Sequence, residues 1–227
     1  MNITRPTVLE ISISAFKSNI NKIKEFLRSS TKIMPVFKAN AYGTYLNTNL
    51  EILNLFDIVA VATVDEGKLI RDLGYEKEIF VLNQPYEDEI TKIIESRLVV
   101  GICCENFSKK LAQYDYEFKV HILPENTLNY INNLSKNIVV EGLYTHLSSA
   151  DNNDEYTRKQ FGLFDEAVKE ISKYKNLKYI HVNASNGILN YSKVGDFNLV
   201  RPGIIMYGYP SDIDSCKNIK LEPAAVF

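Results

Sequence analysis

Ile33-Met34-Pro35-Val36-Phe37, running straight into Lys38-Ala39-Asn40-Ala41-Tyr42-Gly43, is the stretch on which the fold turns. The first five residues form a short apolar run that reads as a buried strand, and the next six read as a lysine followed by a turn. A lysine at the mouth of a buried strand is expected to lose water, and burial disfavours the ammonium form. An amine with a lowered pKa is what Schiff-base chemistry requires. The plainer reading is a strand-end lysine that snorkels to solvent. What the chain brings to its other strand ends decides between them.

Outward from this stretch the pattern repeats. Apolar runs at Phe56–Ala62, Ile79–Leu82, Leu98–Ile102, Phe118–Ile122, Val139–His146 and Tyr179–Val182 read as further strands, and Leu199-Val200 with Gly203–Tyr207 bracket a short eighth. Between them lie segments of helical period. Thr63–Glu66 opens one that carries Leu69, Ile70 and Leu73 inward and ends at Gly74. Pro124 is placed to open another, with Leu128, Ile131 and Leu134 buried. The last long helix, near Glu155 to Tyr174, buries Phe161, Phe164, Val168 and Ile171. Ahead of the first strand, Thr7–Ile13 alternates as a half-exposed strand. Ser14 is then placed to cap a helix whose inner face is Phe16, Ile20, Ile23 and Leu27. Eight strands alternating with helices predict a parallel (β/α)8 barrel, the TIM-barrel architecture. A doubly wound open sheet competes, but no G-x-G-x-x-G follows the first strand.

The 227 residues are 45% hydrophobic with a formal net charge of -2, enough for one large α/β domain. This balance gives no reason to expect nucleic acid or a membrane surface as partner. Cys103, Cys104 and Cys216 form no metal-binding spacing, and the first two read as buried thiols. The opening Met1–Pro6 has no apolar signal core, and no run is long enough to span a bilayer. A cytoplasmic protein in a reducing compartment, without a metal, is the expectation.

In a barrel the active site lies at the carboxyl ends of the strands. Lys38, Tyr42, His146, Ser185 and Arg201 all fall at or just after such ends. Tyr42 is either a loop aromatic or a phenol donating to an anion. His146 is either a hydrogen-bonded structural group or a ligand contact among small residues. Ser185 is either a helix cap or part of a phosphate site at a helix start. Arg201 is either an ion-pair residue or part of the phosphate cradle that barrels often build after their last two strands. Gly203 would let backbone N–H groups approach such a phosphate closely.

Taken together these residues resemble the amino-terminal domain of alanine racemase, a pyridoxal-phosphate enzyme. The resemblance runs through Val36–Gly43, Ala60-Val61-Ala62-Thr63 with Asp65-Glu66, Glu141–His146, Ala150-Asp151 and Leu199–Gly208. It implies one cofactor-binding barrel over residues 1–227, with the family's β-rich carboxyl-terminal domain absent from this chain. Lys38 resembles the lysine that bonds the cofactor and acts as a catalytic base. Tyr42, Ser185, Gly203 and Ile204 resemble the phosphate contacts. Arg201 resembles the partner of the pyridine nitrogen, and His146 a group beneath the ring that orients Arg201. An arginine donates to the pyridine nitrogen but does not protonate it. The ring is then a weaker electron sink than one paired with a carboxylate, which favours racemisation over decarboxylation.

The resemblance also implies a second base, a tyrosine on the other domain reaching across a homodimer, and no residue here matches it. The family's lysine and Gly-Met-x-Arg turn after the fifth strand are missing, since Ile122 passes to Leu123-Pro124-Glu125. Thr44-Tyr45 replace the usual histidine and small residue. Either the gene lacks these residues or loops have been dropped from the sequence. The difficulty of joining a strand to its helix with no loop favours the second. The expected activity is interconversion of L- and D-alanine by the full-length parent, the barrel alone being inactive. The alternatives are a serine racemase, a single-domain pyridoxal-phosphate binder of vitamin B6 homeostasis, and a pseudoenzyme.

Overall fold

The computed structural model describes residues 8–124, 130–210 and 219–226. The elements in order are β1 (Glu10–Ile11), α1 (Ile13–Glu25), β2 (Lys32–Ile33), α2 (Lys38–Tyr42), α3 (Leu50–Leu53), β3 (Ile58–Val61), α4 (Val64–Asp72), β4 (Glu78–Val81), α5 (Ile90–Glu95) and β5 (Val99–Ile102). After these come α6 (Glu105–Leu111), β6 (Phe118–Ile122), β7 (Ile138–Tyr144), α7 (Asp154–Ile171), β8 (Tyr179–His181), α8 (Ser185–Tyr191), β9 (Leu199–Val200) and β10 (Ala225–Val226). Eight of the strands form one parallel sheet in the order β2-β9-β8-β7-β6-β5-β4-β3. Its two ends meet just past β2. Val36 bridges Ala60 in parallel, Phe37 N–H donates to Ala60 O at 2.8 Å, and Ala60 N–H donates to Pro35 O at 2.8 Å. The sheet is therefore a closed (β/α)8 barrel.

The sequence reads as continuous apolar runs because both faces of such strands are covered. Every residue of β3 and β5 is buried. Met34, Val36, Ile58, Ala60, Phe80, Val99, Tyr144, Tyr179 and Leu199 fill the barrel interior as one cluster. A larger cluster lies between the strands and the helices, with Phe16, Ile20 and Ile23 of α1 among its members.

Several local expectations shift. Ser12, not Ser14, caps α1, its Oγ accepting from Ala15 N–H at 3.2 Å, because the helix starts at Ile13. Leu69 is exposed while Ile70 is buried, so the inner face of α4 sits one position round. The eighth strand is only Leu199–Val200, and 204–207 is a 3-10 turn. Leu128 lies outside the described residues, and Ile131–Asn133 form another 3-10 turn. β7 lies in parallel register beside β6, with Phe118 opposite Ile138. Cys103 and Cys104 are half-buried thiols whose N–H groups both donate to Gln84 Oε1, and Cys216 lies outside the described residues.

Two features frame the barrel. At its amino end, Lys119 and Lys178 meet Glu78 and Glu141, and Tyr179 donates to Glu78 Oε2. Beside α1, β1 pairs antiparallel with β10, outside the barrel sheet. The buried Asn19 side chain holds that tail, donating to Met206 O and Glu222 O and accepting from Glu222 N–H.

Candidate active site

Lys38 opens α2 at the carboxyl end of the first barrel strand. Its side chain is exposed, so the expectation of a desolvated lysine is not met. The strand ends before it, and the lysine stands on the rim. The backbone just after it is unusual. Ala39, Asn40, Ala41 and Tyr42 have φ of 52°, 51°, 56° and 56°, one turn of left-handed helix. For L-residues this hand costs roughly 1–2 kcal/mol per residue. Local bonds oppose that cost: Leu46 N–H donates to Asn40 Oδ1 at 3.0 Å, and Thr44 Oγ1 donates to Ala41 O at 2.7 Å.

The turn swings Tyr42 over the end of β9. A Cβ on Gly203 would overlap the Tyr42 hydroxyl, so glycine is required by the approach of that ring. Gly203 N–H donates to Ser185 Oγ at 3.2 Å. Ile204 begins the 3-10 turn, where the first N–H groups have no partner within the turn. Burial first, and the Glu66 carboxylate second, push the Tyr42 phenol up to about 12, so it remains a donor at neutral pH. Tyr42, Ser185 and Gly203 therefore stand together at the end of β9, the Tyr42 hydroxyl against Gly203 and the Gly203 N–H on Ser185 Oγ, with Ile204 next in the chain.

Arg201 follows β9 and is 1% exposed. Its Nη1 donates to His181 Nδ1 at 2.8 Å and to His181 O at 3.0 Å. Its Nη2 donates to Thr145 O at 2.7 Å and Val182 O at 3.0 Å, with His146 Nδ1 at 3.5 Å. Among the described residues no carboxylate pairs with it. Burial pushes the guanidinium down to about 10, so it is a cation at neutral pH.

The close partner of Arg201 is therefore His181, with His146 only at the limit of contact. His146 stands on the rim, exposed toward the mouth. Desolvation by its surroundings, then the Arg201 and Lys38 charges, push its imidazole down to about 4. His181 Nε2 lies 2.8 Å from His121 Nδ1. Because Arg201 always donates, His181 Nδ1 accepts, its proton sits on Nε2, and His121 accepts in turn. His121 then carries its own proton on Nε2, a buried atom with no partner among the described residues. Burial holds both rings neutral, with His121 down to about 3. Gly142 makes room: a Cβ there would lie 2.7 Å from the His121 ring. Phe80 stacks on His121 and Tyr144 on His181, which closes the layer.

Sequence reading passed over His121 and His181 as functional groups. The available signal was two titratable residues inside runs otherwise built for burial. No cluster of three metal-ligating side chains occurs among the described residues, nor a helix long and apolar enough to cross a membrane.

Known proteins resemble this chain in sequence and fold. The profile of the family "Alanine racemase, N-terminal domain" matches residues 11–211. The chain belongs to this family. The alanine racemase of Methanococcus maripaludis is 32% identical over 249 aligned residues, covering 98% of this chain and 65% of its own length. That alignment is longer than the chain, so the relative has segments without a counterpart here. An amino-acid racemase of Enterococcus faecalis is 31% identical over 94% of this chain and 33% of its own length. Among solved structures, alanine racemase from Clostridium difficile 630 in complex with cycloserine superimposes with a TM-score of 0.91 at 28% identity, over 98% of this chain and 64% of that one. This member of the alanine racemase N-terminal family thus spans just under two thirds of the length of such alanine racemases.

Proposed function

We propose that the barrel holds pyridoxal 5'-phosphate on Lys38 and serves an amino-acid racemase, with alanine as the first substrate. The observation that carries this reading is the buried Arg201 cation, which among the described residues has no carboxylate partner. The donor set fits the cofactor: a rim amine, an anion cradle and, between them, a fixed N–H donor. Tyr42, Ser185, Gly203 and Ile204 would bind the phosphate. Arg201 would meet the pyridine nitrogen without giving up its proton, its remaining N–H directions being held by the carbonyls and by His181. His146, neutral, would flank the ring. When bound, the cofactor supplies the electron sink that makes an amino-acid α-proton acidic. Lys38 would move that proton on its own side of the substrate.

A racemase needs a second base on the opposite side. A homodimer in which another part of the full-length protein supplies it belongs to the same proposal, as do a small-molecule amino-acid substrate and a cytoplasmic setting. Serine is the competing substrate, because similar proteins include one named serine/alanine racemase.

The purified protein, incubated with pyridoxal phosphate, is expected to gain the absorbance of a lysine-bound cofactor. Borohydride should then fix the label on Lys38, and Lys38→Ala should abolish both signals. A colourless protein, or a label on another lysine, overturns the assignment. Lysine-bound cofactor in a full-length protein that never converts L- to D-alanine or L- to D-serine would instead favour a carrier of the cofactor.

A further inference from the structure

The left-handed turn after Lys38 is tied down at its first peptide by a residue from a different unit of the barrel. Ala39 N–H donates to Glu66 Oε1 at 2.6 Å, across 27 residues of sequence. The other carboxylate oxygen, Oε2, accepts from Ala62 N–H at 2.8 Å and Thr63 N–H at 3.2 Å. The Thr63 bond is one half of an ordinary capping box, and Glu66 N–H donating to Thr63 Oγ1 is the other. Capping α4 needs only those two bonds. The Ala39 bond adds nothing to the helix. It joins the start of α2 to the end of β3, at the first of four consecutive residues with positive φ.

Bonds from N–H groups to an ionised carboxylate are stronger than neutral ones. This one sits where the backbone is least content to stay. Lys38 precedes the fastened peptide by one residue and Tyr42 ends the turn, so both inherit its position. The same carboxylate is near enough to Tyr42 to help keep its phenol protonated.

We propose that Glu66 is a positioning residue: its carboxylate latches the left-handed turn to the end of β3 and so fixes where Lys38 and Tyr42 stand at the mouth. The functional meaning of the latch rests on the reading of Lys38 and Tyr42 as cofactor contacts. The latch itself is testable without any cofactor.

Three variants separate it from plain helix capping. Thr63→Ala removes the cap oxygen and leaves the Ala39 bond. Glu66→Gln keeps the shape but has one acceptor oxygen for two sites. Glu66→Ala removes both. Hydrogen exchange of the peptide covering 38–46, in the 227-residue protein without cofactor, is expected to speed up about tenfold in both Glu66 variants. In Thr63→Ala it should stay within about twofold of the parent, since that bond lies outside the turn. The concentration of pyridoxal phosphate needed for half-maximal borohydride labelling of Lys38 should rise about tenfold in the Glu66 variants and not in Thr63→Ala. Equal exchange in Thr63→Ala and the Glu66 variants, or exchange unchanged by either Glu66 substitution, overturns the latch. If Glu66→Ala does not fold, Glu66→Gln decides. If the parent protein captures no pyridoxal phosphate, the cofactor reading fails, and the exchange comparison still decides the latch.

Discussion

The two ends of the barrel hold positive charge in opposite ways. At the amino end Lys119 and Lys178 are 43% exposed and each meets carboxylates. At the carboxyl end Arg201 is out of water with no carboxylate beside it among the described residues, surrounded by carbonyl oxygens and a neutral imidazole. A charge matched by a counter-charge in solvent contributes little to stability and has little left for a ligand. A charge solvated by fixed backbone dipoles keeps its field, and its place is set before anything binds. The amino end therefore spends its charge on its own carboxylates, whereas the mouth keeps a charge fixed in place.

Removing Arg201 is the hardest test of this contrast. Arg201→Leu leaves Thr145 O, Val182 O and His181 Nδ1 without that donor, while His181 O keeps its bond from Thr145 N–H. Each buried unpaired acceptor costs roughly 1–3 kcal/mol, so unfolding by urea should show a loss of about 5 kcal/mol. A loss under about 2 kcal/mol would put the mouth on the same footing as the amino end.

Acid should separate the ends next. The folded pKa values of His121 and His181 lie below their ordinary 6.5. The unfolded chain takes up protons that the folded one refuses, so stability present above that value is lost as pH falls. With the His121 value of about 3, its share at pH 5 is about 2 kcal/mol relative to pH 7, and His181 acts in the same direction. Glu78 at the amino end works in another window. Burial opposes its charge, but bonds from Lys178 and Tyr179 and the lysine charges outweigh that and hold its carboxyl below the ordinary 4.5. Its contribution is present above that value and lost only in stronger acid. Urea midpoints at pH 7 and 5 therefore read the mouth alone, and a flat profile would break the comparison. The smallest effect belongs to Lys178→Met, expected to change stability by less than about 1 kcal/mol. A larger loss by the same measurement would show that the amino-end network is not a mere surface device.

The barrel was legible because its strands are covered on both faces. Ile58–Val61 and Val99–Ile102 are apolar without alternation, and the segments between them keep helical period. The rule that barrel chemistry lies at carboxyl ends of strands then brought Lys38, Tyr42, His146, Ser185 and Arg201 to one rim. The hidden part depends on register. His121 reaches His181 only because the ladder slips between Val120 and His121, which sets His121 opposite Gly142. No local pattern announces that slip. The exposure of Lys38 was hidden for a related reason: the last ladder bond is made by Phe37, and Lys38 opens the turn just beyond it. Ser12 and Leu69 show the usual one- or two-residue uncertainty at helix ends and faces.

The left-handed turn has a consequence for how its residues should be compared between proteins. Over Ala39–Tyr42 the backbone is locally the mirror image of an ordinary helix. Substitution preferences there run in reverse. Alanine, elsewhere the best helix former, is here under strain, whereas glycine or a residue of opposite chirality would sit at ease. A protein proposed to invert the handedness of amino acids thus carries, beside its candidate lysine, a stretch of its own chain that would be more comfortable with the other hand.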